Sequence, residues 1–172
     1  MYTICFVEDE QALDETVRRC RDAKEFPDCR AEFFAEASQA LEWAKGHVGP
    51  VVFVVDSRMY SEDIKASLDE ALSAEGMAAK DVLMEVNPEI GEDVLTGVAA
   101  SILLKRRCPQ SRVIVASAYL GKIAQARKAN ERLDKLVAAN VDVILPKVSP
   151  DDLLTAIRAQ LQVLGWKGEP SA

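Results

Sequence analysis

The sequence predicts an α/β fold, an open and doubly wound parallel sheet with helices on both faces. Two observations lead there. Four short apolar runs rich in β-branched residues have the character of buried parallel strands. Stretches with apolar residues at helical spacing separate them, so strand and helix alternate along the chain.

The first strand is expected over Tyr2 to Val7. A helix is expected from Ala12 to Lys24, with Leu13, Val17 and Cys20 on one face. Pro27 and Asp28 mark a loop, and Ala31 to Phe34 reads as a short second strand. Ser38 is placed to cap a helix carrying Ala40, Leu41, Trp43 and Ala44, which Gly46, Gly49 and Pro50 then end. Val51 to Val55 is the clearest strand, since four of its five apolar residues are β-branched.

The pattern from Tyr60 to Asp93 is less regular. Ile64, Leu68, Ala71 and Leu72 fit an amphipathic helix, and a second short helix fits Ala78 to Val86. Asn87-Pro88 and Gly91 break the pattern. Asp93 is expected to cap the next helix, whose apolar face carries Val94, Leu95, Val98, Ala99, Ile102 and Leu103 before Cys108-Pro109 stops it. Val113 to Ala116 reads as the fourth strand. A long helical region is expected from Gly121 to Ala139, with its charged residues on a solvated face. Val141 to Leu145 reads as the fifth strand. A last helix starts at Pro150-Asp151-Asp152, where Pro at the entry and Asp in the first turn are favourable, and Gly165 can end it. Five strands alternating with about five main helices, plus a helical insertion, give a sandwich of flavodoxin-like type.

Composition narrows the function. The chain has 172 residues, 49% of them hydrophobic, which suits one domain with a full core. Its formal charge of −7 argues against non-specific nucleic-acid binding, which needs a basic surface. Cys5, Cys20, Cys29 and Cys108 have no CxxC spacing, and His47 is the sole histidine, so a zinc site or Cys–His pair is not expected. The cysteines read as small packing residues in a reducing compartment. No signal-peptide pattern and no apolar run of about 18 residues is present, so a cytoplasmic protein without membrane contact is expected.

Polar residues stand at the ends of four strands. Glu8-Asp9-Glu10 follows the first, Asp56 the third, Ser117 the fourth, and Lys147 lies just past the fifth. Parallel α/β sheets bind ligands at the carboxyl ends of their strands, so these groups are expected to converge. Taken singly, an acidic cluster after a strand can cap the next helix, Ser117 can be a loop residue, and Lys147 a surface charge. Their joint order on one fold is the informative feature.

That order resembles the receiver domain of two-component response regulators, the CheY-like family. Val7-Glu8-Asp9-Glu10 resembles the acidic pair ending the first strand. Asp56-Ser57-Arg58-Met59 resembles the phosphoacceptor segment, and Gly97 the glycine of the following helix. Ser117-Ala118 resembles the hydroxyl-plus-small pair, and Lys147 the lysine that ends the fifth strand. The resemblance implies that Asp56 accepts a phosphoryl group with Mg²⁺ as cofactor. It implies that Asp9, Asp56 and the backbone carbonyl of Arg58 ligate the metal, with Glu8 acting through a bound water. It gives Lys147 and Ser117 the phosphoryl oxygens as partners. The chemistry agrees, since three clustered carboxylates need a cation and Mg²⁺ takes hard oxygen ligands.

Four features depart from the family pattern. Tyr60 follows Met59 where proline is usual. Val148 follows Lys147 where proline after a cis bond is usual; a cis bond before Val148 costs about 2.5–4 kcal/mol, so that loop is expected to differ. Ile144 occupies the position of a switching aromatic, which leaves Tyr119 as a substitute. The fourth departure is length, in the 60–93 segment and in Ser117 to Lys147. The segment after Met59 reads as a surface elaboration or as a lid or partner surface beside the site.

The sequence therefore predicts one receiver domain over residues 1–165, with the inserted helical segment at 60–93 and a tail at 166–172. Its expected role is that of a stand-alone response regulator, phosphorylated by a histidine kinase or phosphotransfer protein and signalling by protein contacts. Slow self-dephosphorylation is expected, without enzymatic turnover in the ordinary sense. One alternative is a pseudo-receiver interaction module that does not use phosphorylation. Another is an aspartate-nucleophile phosphatase, against which Arg58 stands where such enzymes typically need a second carboxylate. A nucleotide site is not expected, because no G-x-G-x-x-G or P-loop pattern is present.

Overall fold

The computed structural model describes residues 1–8, 13–57, 73, 76, 95–147 and 149–168. Five strands form one all-parallel sheet: β1 (Tyr2–Val7), β2 (Cys29–Phe34), β3 (Val51–Asp56), β4 (Arg112–Ser117) and β5 (Val143–Pro146). Their order across the sheet is β2-β1-β3-β4-β5. The chain order reverses between β1 and β3, which opens a crevice past the carboxyl ends of those two strands.

Six helices lie among the described residues: α1 (Asp14–Cys20), α2 (Ala37–Gly46), α3 (Thr96–Arg107), α4 (Leu120–Ala129), α5 (Glu131–Asn140) and α6 (Pro150–Val163). Strand alternation sorts the core into two layers. Ile4, Phe6, Val52, Val54 and Ile114 face α1 and α6, where Val17, Leu154, Ile157 and Leu161 meet them. Cys5, Val7, Phe53, Val55, Val113 and Val115 face α2 to α5. Every residue of β3 is buried, as its central position requires.

The expected flavodoxin-like sandwich is present, and several boundaries move for identifiable reasons. Helix α1 stops at Cys20 rather than Lys24, because the Asp22 carboxylate accepts the Lys24 amide at 2.9 Å and turns the chain. Ser38 is no cap. Helix α2 begins at Ala37 with Glu36 at its N-cap, and the Ser38 hydroxyl donates to the Glu36 carboxylate at 3.3 Å.

The long helical region expected from Gly121 to Ala139 is two helices. Asn130 is extended (φ −131°, ψ 104°), and its side-chain oxygen accepts the Leu133 amide at 2.9 Å, starting α5 afresh. Strand β5 begins at Val143 rather than Val141. The Asp142 carboxylate takes the Val113 amide at 2.7 Å, replacing a ladder carbonyl.

Helix α3 was expected to bury one face. Instead all residues from Thr96 to Leu104 are buried, because α2 and α5 flank the helix above the sheet. Trp166, expected in the tail, belongs to the core. It stacks on Phe26 at 5.8 Å, and its indole N–H donates to the Pro27 carbonyl at 2.9 Å. The chain reaches it through Gly165, whose φ of +96° suits glycine after a helix end. The helices expected within 60–93, the Asp93 cap and the turns near Asn87 lie outside the described residues. Among the described residues, no helix is long and apolar enough to cross a membrane.

The four thiols are free, and burial raises the pKa of each. Burial, with the nearby Cys29, pushes Cys20 up to about 12; burial, with Asp28, pushes Cys29 up to about 11. A thiol in the unfolded chain ionises near ~8.5. Below that pH both states are protonated and this contribution to stability is complete. It is lost as pH rises through the native values. The urea midpoint is therefore expected to fall between pH 8 and pH 10, and the fall should be shallower in Cys20→Ala.

Candidate functional site at the sheet switch point

The crevice between β1 and β3 holds the charged residues. Val7 ends β1, and Glu8 follows it with no exposed surface; Asp56 ends β3 and is 4% exposed. Lys147 follows Pro146, the last residue of β5, and its backbone N–H continues the ladder to the Ser117 carbonyl at 3.1 Å. That bond aims the lysine across the top of the sheet. Its ammonium lies 2.8 Å from Asp56 Oδ2 and 2.7 Å from Glu8 Oε1. One cation thus bridges two buried carboxylates, with 11% of its side chain exposed.

The two contacts differ in kind. The Asp56 contact is an aligned hydrogen bond. Glu8 Oε1 has no hydrogen bond of good geometry, so its attraction to Lys147 is mainly electrostatic. Its other oxygen, Oε2, accepts the Leu13 amide at 3.0 Å, one of the unpaired N–H groups at the start of α1. Glu8 therefore meets the start of α1 with one oxygen and Lys147 with the other. Burial alone would lower the Lys147 pKa. The hydrogen bond to Asp56, the close contact with Glu8 and the two negative charges outweigh it, so the ammonium titrates above the ordinary lysine value.

Gly97 sets how close α3 comes to the end of β3. An added Cβ would overlap the Asp56 carbonyl oxygen and lie 2.7 Å from its carbon and 2.8 Å from Ser57 Cα. The Gly97 amide donates to the Ser57 carbonyl at 2.9 Å, which joins the start of α3 to the end of β3.

Ser117 stands at the end of β4, but its hydroxyl is engaged by neither Asp56 nor Lys147. It accepts from the Ser57 hydroxyl at 2.7 Å and from the Tyr119 amide at 2.8 Å. Ser57 escaped the sequence reading, which noted it only as the residue after Asp56. Tyr119 and Ile144 both pack, half-buried, against the α2–α5 layer. Asp9, Arg58, Tyr60 and Val148 lie outside the described residues, and no cis peptide occurs among the described ones.

A hard cation suits the groups that are described. Two carboxylates meet in the crevice, and Glu8 Oε1 is buried without an aligned donor. Among the described residues, no three His, Cys, Asp or Glu side chains gather at one point.

Comparison with known proteins agrees with this architecture. No protein-family model matches the chain, and no curated protein matches it. Solved structures do. The receiver domain of Francisella response regulator 1452 superposes with a TM-score of 0.52 at 13% identity, covering 94% of this chain and 97% of that one. The response regulator domain of Thermotoga maritima CheB gives 0.53 at 14% identity, covering 94% and 97%. The fold is that of response regulator receiver domains. The N-terminal domain of a response regulator/sensory box/GGDEF protein from Carboxydothermus hydrogenoformans gives 0.54 at 13% identity, covering 95% and 96%. The receiver fold therefore extends over most of the chain.

Two outcomes follow from the geometry. Lys147→Met strands two buried carboxylates and should cost about 3–5 kcal/mol by urea unfolding. The cost should shrink in a Glu8→Gln/Asp56→Asn background, where no charge needs a partner. Gly97→Ala should cost about 3 kcal/mol, the upper end of the overpacking range, since the clash is with backbone that is pinned on both sides.

Proposed function

We propose that this chain is a response regulator that accepts a phosphoryl group on Asp56 from a histidine kinase or histidine phosphotransfer protein. One observation carries the reading: a buried aspartate at the switch-point crevice is hydrogen-bonded by a lysine that also faces Glu8. In this reading an Asp56 carboxylate oxygen attacks phosphorus, the P–N bond of a phosphohistidine breaks, and the imidazole leaves with a proton. The product is an acyl phosphate on the protein. Lys147 follows the developing charge by moving its hydrogen bond from the carboxylate to a phosphoryl oxygen. Ser117 donates to a second oxygen.

Glu8 and Asp56, joined by Asp9 and the Arg58 carbonyl, would hold Mg²⁺. When bound, the ion supplies charge neutralisation at the phosphoryl oxygens. Glu8 fits this role because its Oε1 has no aligned hydrogen bond to give up. Phosphorylation adds about −1.5 to −2 charge beside Ser117 and Tyr119, and repacking around α4 and β5 would pass the change to a protein partner. The acyl phosphate would decay by slow hydrolysis or pass along a phosphorelay. The acidic composition favours protein contacts over nucleic acid as the output.

Intact-mass spectrometry after incubation with Mg²⁺ and a small phosphodonor tests the reading. One added phosphoryl group is expected in the wild type, and none in Asp56→Asn or without Mg²⁺. A folded wild-type protein that takes up no phosphate would instead favour the phosphorylation-independent module.

A further inference from the structure

We infer that Ser57 is a resting-state latch on Ser117. The inference rests on the phosphoacceptor reading and deepens it by naming a positioning residue. Ser57 directly follows Asp56 and is fully buried. Three backbone contacts hold it. Its N–H donates to the Ala116 carbonyl at 3.0 Å, its carbonyl accepts the Gly97 amide at 2.9 Å, and the Thr96 hydroxyl reaches the same carbonyl at 3.5 Å. Its side chain is therefore presented from a rigid support. The hydroxyl spans from the end of β3 to the end of β4 and meets Ser117 Oγ at 2.7 Å.

Ser117 Oγ has one proton and two acceptor positions. The Ser57 hydroxyl and the Tyr119 amide use both acceptor positions, and Ser117 itself is 1% exposed. A buried hydroxyl held from two sides cannot swing toward a group on Asp56 without loosening one of these bonds. The Tyr119 bond links residues two apart and can travel with the loop. The Ser57 bond joins two strands and cannot. Any shift of Ser117 Oγ toward a phosphoryl group thus stretches the Ser57–Ser117 bond first, even though the proton Ser117 would donate is not the one this bond uses. Losing it opposes the switch, and the buried Ser57 hydroxyl must find another acceptor. Ser57 need not touch the phosphoryl group to set how readily Ser117 reaches it.

The test is a calorimetric titration with beryllofluoride, a phosphoryl mimic, in excess Mg²⁺. It compares wild type, Ser57→Ala, Ser117→Ala, the double variant and Asp56→Asn. Removing the latch should tighten binding about 2- to 10-fold, the range of one buried hydrogen bond. Ser57→Cys, similar in size but a weak donor, should shift the same way by less. In the Ser117→Ala background, Ser57→Ala should change binding by less than 1.5-fold on the order of measurement error, because the latch has no partner there. A merely structural Ser57 would alter binding equally in both backgrounds, and that result overturns the latch. So does weaker or unchanged binding in Ser57→Ala and Ser57→Cys while the wild type binds through Asp56. Absence of Asp56-dependent binding in the wild type overturns the phosphoacceptor reading, and the latch with it.

Discussion

Two carboxylates and one ammonium, brought together out of water, are the constraint on which the rest of this structure depends. Burying an unpaired charge costs several kcal/mol, so Glu8, Asp56 and Lys147 are tolerable only as a set. That requirement fixes the alignment of three strand ends. β1 delivers Glu8, β3 delivers Asp56, and β5 must stop where the ladder bond from Lys147 to Ser117 aims the lysine across β4. A register slip in any of them would leave a buried charge alone.

Packing around the set follows from the same need. Glu8 uses one oxygen on the start of α1 and leaves the other for the lysine. Gly97 lets α3 close onto the backbone of Asp56 and Ser57, so the end of β3 is held from behind by a helix. The apolar layers above and below the sheet keep the strands in register.

Much of this was legible in the sequence. Strand identity was clearest where Val51–Val55 and the neighbouring β1 and β4 are buried on both faces, since burial writes itself as continuous apolar residues. Site placement followed, since a parallel sheet leaves few places for a carboxylate after β3 or a lysine after β5. Boundaries were less legible where one side chain replaces a backbone partner. Asn130 splits a helix, Asp142 delays β5, and Asp22 stops α1, each by a single hydrogen bond that periodicity does not register. Ser57 was invisible for a similar reason. A serine between an aspartate and an arginine has no pattern of its own, and its role depends on a residue 60 positions away. Trp166 looked like tail because it follows a helix-ending glycine, yet its indole closes the core beneath α6.

The central claim is that Asp56 itself carries the phosphoryl group. Borohydride reduction of the phosphorylated protein, followed by tandem mass spectrometry of the peptides, tests it most directly, since reduction of an aspartyl phosphate leaves homoserine. Homoserine at position 56 and at no other acidic residue is the predicted result. Phosphate retained on Ser57 or Ser117, or homoserine elsewhere, would contradict the account.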